Sequence, residues 1–208
     1  MIPSSIYDII LEKAKPYLDT RQNESHTIMS FDFAQRLLSF YPEANADIVL
    51  PAILLHDVGW KMVPEDQQLS AFGPNMNNFE IRRLHEIEGV RIADEILTSL
   101  HYDNQKIKEI LLCIDGHDSR EVALSINDAI VKDADKLFRY TSVAVEIDYA
   151  RFNMSREDRI DMLERSIGLW FFTEEAKEMA GTELSNVLPV GDSAGTSYIP
   201  PVKQKVYP

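Results

Sequence analysis

Residues 46–60 read ADIVLPAILLHDVGW, and every residue from Ile48 to Leu55 is apolar. A helix that is apolar on most of its sides belongs inside a fold. The stretch therefore predicts a buried helix from about Ala44 to Asp57, which Pro51 either bends or effectively starts. His56 and Asp57 close it. Two ionisable groups leaving a core are costly unless hydrogen bonds, an opposite charge or a metal ion compensate them. The rest of the chain has to supply that compensation.

Helical periodicity dominates on both sides of this stretch. Residues 4–15 place Ile6, Ile9 and Ile10 on one side. A second helix starts near Asn23 or Ser25, either of which can cap it, and ends near Pro42. Further helices are expected over about 78–100, 104–116 and 125–150. The last opens at Ser155-Arg-Glu-Asp158, a capping-box pattern, and runs to about Ala180. The polar connection 61–78 is long, as active-site lids often are. No alternating strand pattern of useful length is present. The fold class is all-α, a single irregular helical bundle over residues 1–185. The segment from Asn186 onward, rich in proline and small residues, reads as an extended or disordered tail.

Composition narrows the partners. The 34 acidic residues of the 208-residue chain exceed the 21 basic ones, for a net charge of −13. Such a surface repels nucleic-acid phosphates and anionic lipids, so neither nucleic acid nor membrane is an expected partner. The single cysteine, Cys113, suits a reducing compartment and reads as core packing. MIPSSIYDIILEK lacks the features of a secretory signal, and no apolar run is long enough to span a bilayer. The expected location is cytoplasmic.

There are five histidines. Residues three, four or seven apart share a helix face. His26 lies three and seven residues before Met29 and Phe33. His85 follows Ile81 by four. His117 follows Cys113 by four and Ile110 by seven. His56 ends the buried helix. These imidazoles point inward, whereas His101 reads as a surface loop residue. Asp135 sits between Val131 and Phe138 on one face, an unusual place for a carboxylate. Its neighbour Asp133 is expected to be exposed. A lone inward histidine is usually a hydrogen-bonded core residue, but the same explanation would have to hold at five places. Imidazole nitrogens together with carboxylate oxygens suit zinc, iron, manganese and related ions.

The ordered set His26, His56-Asp57, His85, His117 and Asp135 resembles the HD-domain superfamily of metal-dependent phosphohydrolases. Its strongest pieces are AILLHDVGW and KDADKLF, and the resemblance covers about residues 20–150. The intervals of 30, 28, 32 and 18 residues, from His26 to His56, Asp57 to His85, His85 to His117 and His117 to Asp135, allow one ligand per helix or helix end. The resemblance implies that His26, His56, Asp57 and Asp135 hold one ion and that His85 and His117 hold a second. Asp57 is shared, and turnover depends on it. It implies two divalent ions of the Fe, Mn, Zn, Co or Ni class, a small phosphorylated metabolite or nucleotide as substrate, and attack by a metal-activated water. The same ligand set occurs in HD-domain di-iron oxygenases, the alternative reading. The chain departs from the family's "HDIGK" pattern: in HDVGWK, Lys61 is displaced by one and Trp60 takes its place. Lys61 remains the candidate substrate contact, while Trp60 either stacks on a base or packs. Arg82, Arg83, Lys136 and Arg139 are other candidate phosphate contacts, though each reads more readily as a solvated helix face.

Overall fold

The computed structural model describes residues 5–73, 76–152 and 154–187. Its regular structure is helical: α1 (Ile6–Leu18), α2 (Asn23–Leu38), α3 (Ala46–Leu55), α4 (Glu65–Gln68), α5 (Phe79–Ser99), α6 (Asn104–Ile114), α7 (Ile126–Leu137), α8 (Ser142–Phe152), α9 (Arg156–Trp170) and α10 (Glu174–Val187). None of the described helices is long and apolar enough to cross a membrane.

α3 is the centre. Its residues Ile48 to Leu55 are all buried, and α1, α2, α6 and α7 pack around it. Asn45 caps it, accepting from the Asp47 amide at 2.9 Å, so the helix begins at Ala46 rather than Ala44. Pro51 lies inside the helix and has no N–H for the carbonyl of Asp47, four residues earlier. The Tyr102 hydroxyl donates to that carbonyl instead, at 2.8 Å. α3 stops at Leu55. His56 and Asp57 turn into a 3-10 segment, Val58–Met62.

Four expectations need correction. In α1 the buried face is Ile10, Ala14 and Leu18, while Ile6 and Ile9 are exposed. The helix expected over 125–150 is broken by a 3-10 turn, Phe138–Tyr140. Thr141 is extended there, and its hydroxyl accepts from the Ala144 amide at 3.2 Å to start α8. The helix opening at Ser155, whose hydroxyl caps it by accepting from the Asp158 amide at 3.0 Å, breaks between Trp170 and Glu174. That break is tied to the fourth correction. Asp133 is fully buried. Its carboxylate accepts from the amides of Phe172 and Thr173, both at 2.8 Å, and from the Thr173 hydroxyl at 2.7 Å. α7 is covered on one side by α2 and α3 and on another by α10, so both of its acidic faces are interior. Burial raises the Asp133 carboxyl to about 6, against the pull of those donors. Asn186 and Val187 belong to α10; the remainder of the expected tail lies outside the described residues.

Asp133→Ala should strand those donors and loosen α9 and α10 from the bundle. A loss of about 2–4 kcal/mol is expected, given what hydrogen bonds to charged groups contribute. It would be read by urea unfolding, with metal content unchanged. Wild-type stability in this variant would mean that the break at Phe171–Thr173 is held by other contacts.

Candidate metal centre

Six side chains arrive at one place from separate elements. His26 comes from α2, His56 and Asp57 from the end of α3, His85 from α5, His117 from the loop after α6, and Asp135 from α7. None is more than 9% exposed. The turn after α3 explains how His85 meets Asp57. A Cβ on Gly59 would overlap the His85 carbonyl oxygen and the Gly89 amide nitrogen, so glycine alone lets this turn lie against α5. Trp60 then donates its Nε1–H to Asp57 Oδ1 at 3.0 Å and stacks on His85, with ring centroids 4.0 Å apart and planes 11° apart. Trp60 thus packs within the centre.

The ligand atoms form two groups joined at Asp57. In the first, His26 Nε2 and His56 Nε2 are 2.9 Å apart, and Asp57 Oδ2 lies 3.5 Å and 3.7 Å from them. Asp135 Oδ1 completes it, 3.2 Å from His26 and 3.6 Å from His56. In the second, His85 Nε2 and His117 Nε2 are 3.3 Å apart, with Asp57 Oδ1 at 4.0 Å and 3.5 Å. Atoms bound to one ion at about 2.1 Å lie about 3.0–3.4 Å from one another in octahedral or tetrahedral arrangement, so these separations suit a shared ion.

The tautomers agree. His56 Nδ1 donates to Ile53 O at 2.7 Å and His117 Nδ1 to Ile114 O at 2.9 Å. Each leaves an Nε2 lone pair directed inward, the usual preparation of a ligating histidine. His85 Nδ1 is buried without a hydrogen-bond partner among the described residues, and its ring is stacked on Trp60.

The electrostatics ask for a cation. Burial raises a carboxyl, yet Asp57 is held well below the usual range by His56, His117, His26 and Arg21. Asp135 is likewise held low by His26 and His56 despite burial. Burial lowers His117, but Asp57, Asp118 and Glu86 outweigh it and lift it to about 9. His85 goes the other way, to about 4, through burial and His117. Buried carboxylates of this kind need positive charge, from protons on the histidines or from bound metal.

The centre opens to a solvent-accessible cleft whose walls include Arg21, Trp60, Phe72, Asp118, Arg139 and Arg151. Phe72 belongs to the long connection expected as a lid. Arg21 packs over the rings of both Trp60 and Phe72, 3.9 Å and 3.8 Å from their centroids. Its Nε and Nη1 are buried without hydrogen-bond partners among the described residues. Burial lowers Arg21 to about 10, which leaves it charged at neutral pH. Arg21 and Gln22 both have positive φ, 54° and 61°. Such strain in non-glycine residues collects at functional sites, and here it turns Arg21 inward. Arg139 lines the cleft rather than a solvated face. Lys61 does not line it; its ammonium meets Asp19 at 2.6 Å on the outer side of the turn. Arg82 and Arg83 pair with Asp118 and with Glu86 and Asp115. Of the arginine wall, Arg21 and Arg151 had no signal in the sequence. Asp118 had one, because His117-Asp118 repeats the His-Asp pair of residues 56–57.

No curated protein and no solved structure matches the chain. A family model described as HD domain matches residues 23–140. That span is more than half of the chain and contains all six converging residues. With this match and the helical fold around the His-Asp pair, the chain belongs to the HD-domain superfamily of metal-dependent phosphohydrolases.

Proposed function

We propose that the protein hydrolyses a phosphate ester or anhydride of a small metabolite or nucleotide at a centre holding two divalent ions of the Fe, Mn, Zn, Co or Ni class. The reading is carried by one arrangement: two groups of ligand atoms share Asp57 in a cleft whose wall carries Arg21, Arg139 and Arg151. When bound, the ions would supply a polarised water and neutralise charge on phosphoryl oxygens. The side chains do the rest. Asp57 offers one oxygen to each group while Trp60 fixes its plane. Arg21 holds buried N–H donors that an anionic oxygen could satisfy, and guanidinium groups suit phosphate well. Phe72 and Trp60 keep that guanidinium in place and limit water around it. A chain of charge −13 would thereby take an anion through a local field opposite to its overall one. We assign it a small phosphorylated substrate, no nucleic-acid or membrane partner, and a cytoplasmic location in keeping with its one buried thiol.

The test is phosphate release from a panel of nucleotides and sugar phosphates by Mn²⁺-, Fe²⁺- or Co²⁺-loaded protein. Release by the wild type is expected. Arg21→Met should raise KM by about tenfold or more, the value of a charge-assisted hydrogen bond, at unchanged metal content. No release across the panel, with oxygen consumed by the ferrous protein, would transfer the chain to the oxidative branch.

A further inference from the structure

The two ligand groups have a symmetry that the six residues alone do not complete. Each contains two histidines and one oxygen of Asp57. The first also has a terminal carboxylate, Asp135, at 3.2 Å and 3.6 Å from its imidazole nitrogens. In the second, the same position is filled by Asp118. Its Oδ2 lies 3.7 Å from His85 Nε2 and 4.0 Å from His117 Nε2. We propose that Asp118 is the terminal carboxylate ligand of the second divalent ion, the counterpart of Asp135 at the first.

The surroundings of Asp118 fix its direction. Arg82 approaches its Oδ1 at 3.4 Å and also donates to its carbonyl, which leaves Oδ2 to the imidazoles. The fully buried Glu86 on α5 accepts from the Asp118 amide at 2.9 Å, from the Ser119 amide at 2.8 Å and from the Ser119 hydroxyl at 2.6 Å. From α7, the fully buried Lys132 donates to the carbonyls of Gly116 at 2.5 Å, His117 at 3.0 Å and Arg120 at 3.0 Å. Residues 116–120 are therefore clamped from two helices. A surface ion pair with Arg82 would need no such clamp, nor an oxygen turned toward two Nε2 atoms. Carboxylates hold a ligand position best when their own supports are rigid. Three carboxylates, Asp57, Asp118 and Asp135, against two divalent ions leave one positive charge for an anionic substrate.

This inference rests on the two-ion reading but not on the reaction. Full-length wild type and Asp118→Asn are titrated with Mn²⁺ by calorimetry and followed by electron paramagnetic resonance. Asparagine keeps the shape and an oxygen for Arg82, and equal melting temperatures of the metal-free proteins establish that the fold is retained. Wild type should bind two ions with a spin-coupled signal. Asp118→Asn should bind the first ion as wild type does, bind the second at least about tenfold more weakly, and lose the coupled signal. Two ions bound with unchanged affinity and coupling in Asp118→Asn would overturn the assignment and leave the two-ion centre intact. A single ion in wild type would overturn both.

Discussion

Asp57→Ala should abolish turnover and leave the protein folded. Asp57 gives one oxygen to each ligand group, so its loss removes the carboxylate that joins them. In the metal-free protein the carboxylate is buried among other anions, Asp118 and Asp135 included. The imidazoles lose Asp57 as a partner, but His26 and His56 keep Asp135 and His85 and His117 keep Asp118. Metal analysis should find less than the wild-type content. Asp57→Asn separates shape from charge: it can still accept from Trp60 Nε1, but it no longer offers anionic oxygens to two ions. A rate lower by about 10³ or more is expected, in keeping with what loss of one well-placed electrostatic group costs an active site. Near-normal turnover with full metal in either variant would make Asp57 a structural hydrogen-bonding residue.

Gly59→Ala should be the most damaging change of a single methyl group. The added carbon would overlap backbone atoms of His85 and Gly89 on α5. Backbone cannot swing aside as a flexible side chain can, so the turn and the helix must separate. Overpacking of this kind costs about 1–3 kcal/mol and sometimes more. Here the displacement also carries His85 away from Asp57 and His117. The expected result is a lowered melting temperature together with loss of the ion held by His85, while binding through His26 and His56 is less affected. Unchanged melting and metal content would mean that the close approach of turn and helix has slack.

Much of this centre was legible because a helix of known face reports where its side chains go. His26, His85 and His117 were placed inward by their spacing from apolar neighbours, and all three are buried. The run ending at His56 announced a central helix for the same reason. Asp133 reads as exposed from the sequence because spacing marks one buried face on α7, whereas α10 covers a second. That contact belongs to residues about forty positions away and leaves no periodic trace. The breaks at Phe138–Thr141 and Phe171–Thr173 carry neither glycine nor proline, so the sequence lacked its usual punctuation. Arg21 was illegible for a related reason: its inward turn depends on two left-handed residues, neither of them glycine. Asp118 was legible in principle, since the His-Asp pair occurs twice, but only its first copy follows a long apolar run.

The most direct measurement is an anomalous difference map from crystals grown with Mn²⁺ and recorded above the manganese edge. The account predicts two peaks about 3.5–4 Å apart, one among His26, His56 and Asp135, the other beside His85 and His117, with an oxygen of Asp57 reaching each. One peak in protein supplied with excess metal, with His85 and His117 bonded only to protein groups, would contradict it.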